Sequence, residues 1–313
     1  MRLVRHLADL PYSMLSNGSV VTIGAFDGLH LGHQELLDAV VKRSKASGLP
    51  SVVMSFEPTP REFFSGSHPP ARLMRFREKF ESLAEYGIDV FFCPRFSREM
   101  RAITADAFVR KILMHGLNTR QIVVGDDFRF ASRREGSIDT LERCRTALQF
   151  EIQQIPSLRV NAVRVSSTAI RQALFDGNVS LATAMLGRPY RMSGRIIKGR
   201  QVGRTLGYST ANVDLRRRQS AMMGIYAVRV EGLPEGPLHG VASVGTRPTF
   251  NLTKPLLEVH LFDFDRDIYG AYIHVDFIAH LRDEVKFDSV EELIAQMHLD
   301  AENARSILAA HAA

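Results

Sequence analysis

Two histidines set three residues apart, His30 and His33, are the side chains of this sequence best suited to chemistry on a phosphate. They follow a short apolar run, Val20–Ile23, that is typical of a buried strand, and they precede apolar residues at helical spacing over 34–45. Three glycines interleave with them and with Asp27, which predicts a strand, a tight turn and the mouth of a helix. Backbone N–H groups and the positive end of a helix dipole meet at such a turn and favour an anion. Two imidazoles there suit a site where charge develops on a transferred phosphate, although an isolated H-x-G-H fits a helix start with two solvated histidines equally well.

The elements that must position these residues alternate between strand-like and helix-like segments over the first 186 residues. The predicted strands are Val20–Ile23, Ser51–Phe56, Val90–Phe92, Gln121–Gly125 and Glu151–Ile155. The predicted helices are 34–45, Phe76–Tyr86, Ala105–Leu113, Ile138–Gln149 and Ala169–Phe175, the last with an N-cap at Ser166–Thr168. This alternation predicts an open, mostly parallel sheet covered on both faces. The turns after the strands, such as Gly125–Phe130, are expected to converge on one crevice at the carboxyl ends.

A Gly/Pro break at Leu186–Tyr190 marks a change of pattern, and we place the domain boundary there, with domains at 1–186 and 187–313. Beyond it the segments are β-like, and a closing amphipathic helix is predicted over Ser289–Ala310. The predicted strands are Arg191–Ile197, Ile225–Val230, Val241–Val244, Leu256–Phe262 and Tyr272–Phe277. Several short strands with turn signals between them predict a small antiparallel barrel.

The composition is that of a globular cytoplasmic protein without a membrane anchor. The chain has 313 residues, 45% hydrophobic and 24% charged, which favours two domains. Its apolar runs are too short to span a bilayer, and its N-terminus does not look like a signal peptide. Two cysteines, Cys93 and Cys144, exclude a disulfide framework and a cysteine-based zinc site. The net charge of +6 favours acidic ligands, which include nucleotides and phosphates as well as nucleic acid.

Ten motifs in a fixed order carry a resemblance that covers nearly the whole chain. The first half contains G-A-F-D-G-L-H-L-G-H-Q (24–34), F-E-P-T-P-R-E-F-F (56–64), R-L-M-R-F-R-E-K (72–79), G-D-D-F-R-F (125–130) and S-S-T-A-I-R (166–171). The second half contains L-G-R-P-Y (186–190), G-R-T-L-G-Y-S-T-A-N (203–212), G-I-Y-A-V (224–228), G-T-R-P-T-F (245–250) and L-E-V-H-L-F-D-F-D-R-D-I-Y-G (257–270). Together they resemble the bacterial bifunctional riboflavin kinase/FMN adenylyltransferase family, also called FAD synthetase. The resemblance implies a Rossmann-like nucleotidyltransferase domain followed by a riboflavin kinase barrel.

In the first domain the resemblance implies transfer of AMP from ATP to FMN, with release of pyrophosphate. His30 and His33 match the histidines that hold the ATP phosphates, and Gly24 and Asp27 lie in the same loop. Such a transfer needs positioned charge more than a covalent nucleophile, because acceptor and leaving group are both phosphates.

Two further segments are implied to meet the nucleotide. Ser167, Thr168 and Arg171 match the second phosphate-binding segment of the family, although simple helix capping would also explain the hydroxyls. Asp127 matches a polar residue that faces the nucleotide, and it fits a turn former at a strand end about as well. Whether Asp126 or Asp127 reaches the nucleotide is left open.

In the second domain the resemblance implies phosphorylation of riboflavin to FMN with ATP and Mg²⁺. Thr210 and Asn212 match the metal and phosphate ligands, and their hydroxyl and amide oxygens are hard donors suited to Mg²⁺. Glu258 matches the base that takes the proton of the riboflavin 5′-hydroxyl, although its pattern alone favours an ordinary charge on an alternating strand. Lys198 and Arg204 are candidate phosphate contacts or solvated surface cations.

Two departures from the family pattern keep the first of two rival interpretations open. Ser209 stands where the family has the proline of P-T-A-N, which predicts a looser loop with both ligands retained, and Ser243 precedes the segment where an asparagine is common. One rival is a monofunctional adenylyltransferase whose barrel only binds flavin. The other is a nucleic-acid-binding protein that would stack bases on Tyr226, Phe262 and Phe264. We expect small-molecule partners (ATP, riboflavin and FMN), no nucleic acid and no membrane, while the family includes oligomers and the oligomeric state stays open.

Overall fold

The computed structural model describes residues 1–66, 69–199, 208–248 and 253–312, which form two compact units. The sheet unit comprises Met1–Pro70 and Phe76–Val165, and the barrel unit comprises Ala71–Arg75 and Ser166–Ala313. The boundary at residue 186 between two functional modules stays a prediction.

The sheet unit is built on six parallel strands in the order β1-β4-β3-β2-β5-β6. The strands are β1 (Arg2–Val4), β2 (Ser19–Ile23), β3 (Ser51–Met54), β4 (Val90–Phe92), β5 (Thr119–Gly125) and β6 (Glu151–Ile155). From β2 the chain winds one way to β3 and β4, and it then crosses to the other side of β2 for β5 and β6. Ligands of open α/β sheets bind where the winding reverses, beyond the carboxyl ends of the strands. That point lies between β2 and β5.

Helices connect these strands, and their bounds agree with the predicted alternation. They are α1 (Tyr12–Leu15), α2 (Leu31–Ser47), α3 (Pro60–Phe64), α4 (Phe76–Glu85), α5 (Arg98–Ala102), α6 (Ala105–Ala107) and α7 (Ile138–Leu148). Helix α6 continues as a wider π-helix over Phe108–Gly116, and a short ribbon, β7 (Arg159–Val160) and β8 (Val163–Arg164), follows β6. Strand β2 is buried along its whole length, which explains its continuous apolar run.

The barrel unit is a closed barrel of six antiparallel strands. They are β9 (Tyr190–Ile197), β10 (Ala211–Asp214), β11 (Gly224–Glu231), β12 (Leu238–Pro248), β13 (Thr253–Leu261) and β14 (Tyr272–Arg282), and they pair in the order β10-β13-β12-β11-β14-β9. Tyr226 and Phe277 meet edge to face in its core, with ring centroids 5.3 Å apart. Closure leaves no unpaired sheet edge. The sequence prediction did not include β10.

The described residues of this unit also form the helices α8 (Ser167–Phe175), α9 (Val179–Leu186) and α10 (Val290–Ala312). Helix α9 ends at the predicted break, where Gly187 takes the left-handed conformation with φ +72°. The α/β unit, the antiparallel barrel and the terminal helix confirm the predicted fold class.

The segment Ala71–Arg75 belongs to the barrel unit although it is distant from it in sequence. The Nη1 atom of buried Arg217 donates to the carbonyl oxygens of Arg72 at 2.7 Å and Leu73 at 3.2 Å. Arg75 in turn donates to the carbonyl oxygen of Ser193 on β9 at 2.7 Å. Buried guanidinium groups thus fix this segment by its backbone.

None of the helices in the described ranges is both long enough and apolar enough to cross a bilayer.

Candidate active sites

The turn between β2 and α2 places the two predicted histidines face to face. His30 is the N-cap of α2, and its Nδ1 accepts a hydrogen bond from the backbone N–H of His33 at 3.3 Å. The two rings stack with their centroids 3.6 Å apart. Backbone with positive φ at Phe26, Gly28 and Leu29 bends the chain sharply ahead of them. The prediction that both imidazoles share one face of the first turn is therefore confirmed.

Burial keeps both imidazoles neutral near pH 7. It lowers the pKa of His30 to about 4, although the negative charge of buried Asp27 acts in the opposite sense. Burial also holds the pKa of His33 well below its usual range, and His30 and Lys79 add to this effect. Because Nδ1 of His30 is an acceptor, the proton of its neutral ring lies on Nε2. That N–H is a donor that a phosphate oxygen can use.

The turn also contains a buried imidazole nitrogen of His33. Within the described ranges, no group hydrogen-bonds the buried Nδ1 of His33. Leaving a buried polar atom unpaired costs about 1–3 kcal/mol. The predicted Gly24 lies at the start of the same turn, where an added Cβ would come within 3.0 Å of the Phe26 ring.

Lys79 is a residue of this site that sequence reasoning missed. Its side chain is 4% exposed, and its Nζ donates to the carbonyl oxygen of Ala25 at 2.6 Å. It lies close enough to His33 to lower the pKa of that imidazole. The lysine stands inside the motif 72–79, and its helical spacing from Phe76 and Leu83 on α4 was the signal that could have identified it as buried.

The acidic turn after β5 lies near the histidines, and its two aspartates differ in their shortest contacts. Asp126 accepts hydrogen bonds from the N–H and the hydroxyl of Ser157, which lower its pKa. Asp127 instead pairs with Arg164 at 2.6 Å and keeps two thirds of its side chain exposed. The charges of Arg164 and Asp127 both act on the pKa of His30, which places them at the same crevice. Arg164, a cation on β8, was not predicted.

An aromatic cluster lies at the carboxyl ends of β3 and β4. Phe96, which follows β4, meets Phe56, Phe63 and Phe64 with ring centroids 5.2–5.9 Å apart. Phe64 is 59% exposed, and the guanidinium of Arg101 lies 5.2 Å above its ring. This cluster offers an exposed aromatic face to a flat ligand ring, and sequence reasoning did not predict it.

The predicted second phosphate-binding segment lies in the barrel unit, on the first turn of α8. Ser166 caps this helix by accepting from the N–H of Ala169, which confirms the predicted N-cap. Ser167 and Thr168 are its first residues, and Arg171 donates to the carbonyl oxygens of Ala71 and Ser167. The phosphate-binding role of these residues stays a prediction.

In the barrel, three neighbouring strands align polar residues in one row. Asn212 of β10 lies opposite Glu258 of β13, and Glu258 lies opposite Ser243 of β12. Opposed residues of antiparallel strands present their side chains to the same face. Leu257 and Val259, the neighbours of Glu258, are buried in the core, so the row faces away from it. The predicted amide ligand and the predicted base are therefore brought together.

Asn212 is enclosed more tightly than the other predicted residues of this site. It is 5% exposed, and a Cβ added at Gly199 would overlap its amide group. Thr210 stands one residue before β10 and is half-buried. Lys198 is exposed after β9, with its Nζ 5.8 Å from the centroid of the Tyr269 ring. Arg204 lies outside the described residues.

A second carboxylate near Glu258 was missed. Glu284, which follows β14, places its carboxyl group where a side chain at Gly245 would stand. Gly245 comes two residues after Ser243 and so faces the same side of β12. Partial burial raises the pKa of Glu284, and the charge of Glu258 raises it further.

Two of the three aromatic residues of the nucleic-acid hypothesis are buried, and the third, Phe264, is half-buried. Tyr226 is fully buried and Phe262 is 7% exposed. Phe262 packs against Ala304 and Leu308 of α10. Tyr226 and Phe262 therefore pack in the interior of the barrel unit.

The sequence model of FAD synthetase matches residues 13–169, and that of riboflavin kinase matches residues 186–308. The bifunctional riboflavin kinase/FMN adenylyltransferase of Escherichia coli (strain K12) is 45% identical over 305 residues, which cover 97% of each chain. The chain belongs to the bifunctional riboflavin kinase/FMN adenylyltransferase family. Its activities are those of this family, riboflavin kinase and FMN adenylyltransferase, as the sequence predicted.

Other relatives span the chain to the same extent. The enzyme of the same description from Haemophilus influenzae is 41% identical over 307 residues and covers 98% of this chain and 99% of its own. A solved structure from Streptococcus pneumoniae, described as a macrolide-efflux protein, has a TM-score of 0.83 and 32% identity, with 97% of this chain and 98% of that chain covered. The architecture and the family assignment therefore extend over both units.

Proposed function

We propose that the sheet unit of this family member transfers AMP to FMN, and that the barrel unit first makes that FMN from riboflavin. The FAD synthetase match ends at residue 169 and the riboflavin kinase match begins at residue 186, which supports this division. The observation that carries the first assignment is the pair of stacked, neutral histidines at the mouth of α2. The opposition of Asn212 and Glu258 carries the second.

In the adenylyl transfer, an FMN phosphate oxygen attacks the α-phosphorus of ATP and pyrophosphate leaves. The N–H groups of His30 and His33 and the dipole of α2 stabilise negative charge on the phosphate oxygens. The neutral state of the rings favours donation of hydrogen bonds over proton transfer, so their role is electrostatic positioning. Gly24 keeps the loop free of a side chain, while Asp27 orients His30 by its charge. The isoalloxazine ring packs against the exposed aromatic face that includes Phe64.

In this proposal Ser167, Thr168 and Arg171 bind a phosphate at the barrel unit, and Asp127 contacts the nucleotide at the sheet unit. The first three lie at a helix N-terminus, which suits a phosphate, and Asp127 is the exposed carboxylate of its turn. When a phosphate binds, the Arg171 guanidinium would donate to a phosphate oxygen instead of to one of its two carbonyl oxygens.

In the kinase reaction, the 5′-hydroxyl of riboflavin attacks the γ-phosphorus of ATP, ADP leaves, and Glu258 accepts the hydroxyl proton. Thr210, Asn212 and the cations Lys198 and Arg204 hold the phosphates in line for this attack. The polar row beside Glu258 supports its role, because it lies away from the apolar core and next to the amide of Asn212.

The donors at this site fit Mg²⁺. The hydroxyl of Thr210 and the amide oxygen of Asn212 are hard oxygen donors, and Mg²⁺ takes few protein ligands together with phosphate oxygens. Within the described ranges, no group of three or more His, Cys, Asp or Glu side chains could hold a metal ion. When bound, Mg²⁺ would neutralise charge on the ATP phosphates. The partners are ATP and flavins, and the place of action is the cytoplasm.

The test is to supply riboflavin, ATP and Mg²⁺ to the purified protein and to separate the flavins by chromatography over time. FMN should appear first and FAD should follow. His30→Ala should abolish FAD formation and leave FMN formation intact, while Glu258→Ala should block FMN formation but still convert added FMN to FAD. Loss of both activities in either folded variant would contradict separate sites. FAD from added FMN without conversion of riboflavin in the unmodified protein would instead identify a monofunctional adenylyltransferase.

A further inference from the structure

Three rings surround the segment that precedes Thr210. The hydroxyl of Tyr208 shares a hydrogen bond of 2.6 Å with Nδ1 of His298 on α10. The Tyr208 ring also meets the His260 and His298 rings edge to face, with centroids 4.8 and 5.3 Å away. Tyr208 is 9% exposed, whereas His260 is half-buried and His298 is exposed, so the tyrosine is the member of this cluster that is shielded from water. The segment that leads into β10 is therefore held between β13 and α10.

One member of the cluster bonds the backbone next to Thr210. Nδ1 of His260 lies 3.0 Å from the carbonyl oxygen of Ser209. A carbonyl oxygen only accepts, so Nδ1 carries the proton and donates it. This bond fixes the peptide plane between Ser209 and Thr210. Ser209 stands where the family pattern has proline. The hydrogen bond from His260 restrains this stretch of backbone, as the pyrrolidine ring of a proline would.

The helix side of the cluster is itself anchored. Arg305 pairs with Asp263 through two hydrogen bonds of 2.8 and 2.9 Å, and its guanidinium lies 4.2 Å from the centroid of the Phe262 ring. His298 and Arg305 are seven residues apart and so share one face of α10. Helix α10 is thus held at two positions. Arg305 holds it against the end of β13, and His298 holds it against the entry to β10.

The register of the barrel links this cluster to the row of polar residues. His260 lies two residues after Glu258 on β13, so both side chains face away from the core. Thr210 is next to the bonded carbonyl, and Asn212 lies opposite Glu258. Movement of the Ser209–Thr210 peptide would shift both proposed phosphate ligands relative to Glu258.

We infer that Tyr208, His260 and His298 are positioning residues of the kinase site, which hold the Ser209–Thr210 peptide so that Thr210 and Asn212 meet the ATP phosphates. The terminal helix is thereby part of the kinase machinery. This inference rests on the proposed ligand roles of Thr210 and Asn212.

The first test measures the ligand-free, full-length protein by hydrogen–deuterium exchange. Tyr208→Phe and His260→Ala should each speed amide exchange over 210–214, by roughly fivefold for one lost hydrogen bond, while β11 and β14 exchange as before. His311→Ala, an exposed histidine on the same helix, is the matched control and should change nothing in this segment. Unchanged exchange over 210–214 in both variants would overturn the inference.

The second test uses steady-state kinetics. Tyr208→Phe, His298→Ala and their double variant should raise KM for ATP to the same degree, because they remove one shared bond, and should leave KM for riboflavin unchanged. Adding Ser209→Pro to His260→Ala should return KM for ATP most of the way to the unmodified value, since proline restores a restraint on φ. FAD formation from FMN reports that the sheet unit of each variant is folded, and an unchanged KM for riboflavin reports that the barrel unit is folded. Equal rises in both KM values, or no rescue by proline, would indicate general damage and contradict the positioning role.

A different result is expected if the proposed ligand role of Asn212 is wrong. If Asn212→Ala keeps full riboflavin kinase activity, the proposed ligand role is wrong, whatever the exchange data show. If Asn212→Ala loses activity while Tyr208→Phe and His260→Ala keep both slow exchange and an unchanged KM for ATP, only the positioning role is wrong.

Discussion

Asn212 and Glu258 lie directly opposite each other on neighbouring antiparallel strands, with their side chains on the face turned away from the barrel core. This opposition places an amide and a carboxylate side by side although 46 positions separate them in sequence. The space for the amide depends on Gly199, where any side chain would overlap Asn212. The glycine is therefore a sensitive place to disturb the site without removing a proposed ligand.

Gly199→Ala should lower riboflavin kinase activity by roughly tenfold to a hundredfold, because small displacements of positioned groups cost this much. The added methyl group forces the Asn212 amide away from Glu258. The measurement is the initial rate of FMN formation, and FAD formation from added FMN serves as the internal control. An unchanged kinase rate would show that Asn212 has no fixed place in the reaction.

The lowered pKa values of the two histidines predict loss of stability in acid. A group whose pKa is about 4 when folded and 6.5 when unfolded binds more protons in the unfolded chain between these values. The free energy of unfolding of the sheet unit should therefore fall as the pH drops from 6.5 to 4, and the part due to His30 is of the order of 1–3 kcal/mol.

Urea unfolding at several pH values checks this prediction. His30→Asn keeps a helix-capping side chain and removes the titrating ring, so it should flatten part of the pH dependence between 4 and 6.5. Identical slopes in the variant and the unmodified protein would show that His30 is not kept neutral by the fold.

Lys79→Met should reduce FAD formation and spare FMN formation. Its buried ammonium group holds the Ala25 carbonyl oxygen, which lies in the turn that carries His30 and His33. Loss of this donor should also destabilise the sheet unit by about 1–3 kcal/mol, because a buried carbonyl loses its bond. Lys42→Met, an exposed lysine on α2, is the matched control for rate and for urea midpoint. Equal FAD formation by the two variants would contradict the role of Lys79.

The sequence predicted the parts of this molecule that are encoded locally. Alternating strands and helices gave the parallel sheet, and the three-residue spacing of His30 and His33 placed both rings on one face. Strand β10 was missed because its four residues, Ala-Asn-Val-Asp, alternate over only two periods and lack the continuous apolar run that identified the short strands β3 and β4. A run this short carries too little periodicity to distinguish a strand from a loop.

Side chains that come from distant positions were the other omission. Lys79 is 54 positions from the carbonyl that it bonds, and no local pattern links the two residues. Arg164 and Glu284 likewise reach their sites through the pairing of elements rather than through a motif. Strand register and helix packing decide such contacts, and these are determined by the whole fold.

The attachment of Ala71–Arg75 to the barrel unit gives the last prediction. Arg217 is 8% exposed, and its guanidinium also donates to the Tyr190 hydroxyl at 2.9 Å as well as to the carbonyl oxygens of this segment. Arg217→Met should destabilise the barrel unit by roughly 2 kcal/mol, because charged hydrogen bonds to buried oxygens are lost. Arg216→Met is the matched control, since that neighbouring arginine is exposed and pairs with Asp214.

A fragment of residues 187–313 tests the contribution of Ala71–Arg75 to the stability of the barrel unit by removing this segment. It carries the whole predicted kinase module but lacks Ala71–Arg75 and the helices α8 and α9 of the barrel unit, so the buried guanidinium of Arg217 would lose two backbone partners and the barrel would also lose the packing of these helices. We expect this fragment to unfold at a lower urea concentration than the barrel unit of the full chain, with riboflavin kinase activity as the readout of folding. Equal midpoints for the fragment and the full chain, together with an Arg217→Met variant as stable as Arg216→Met, would show that the barrel folds without this segment.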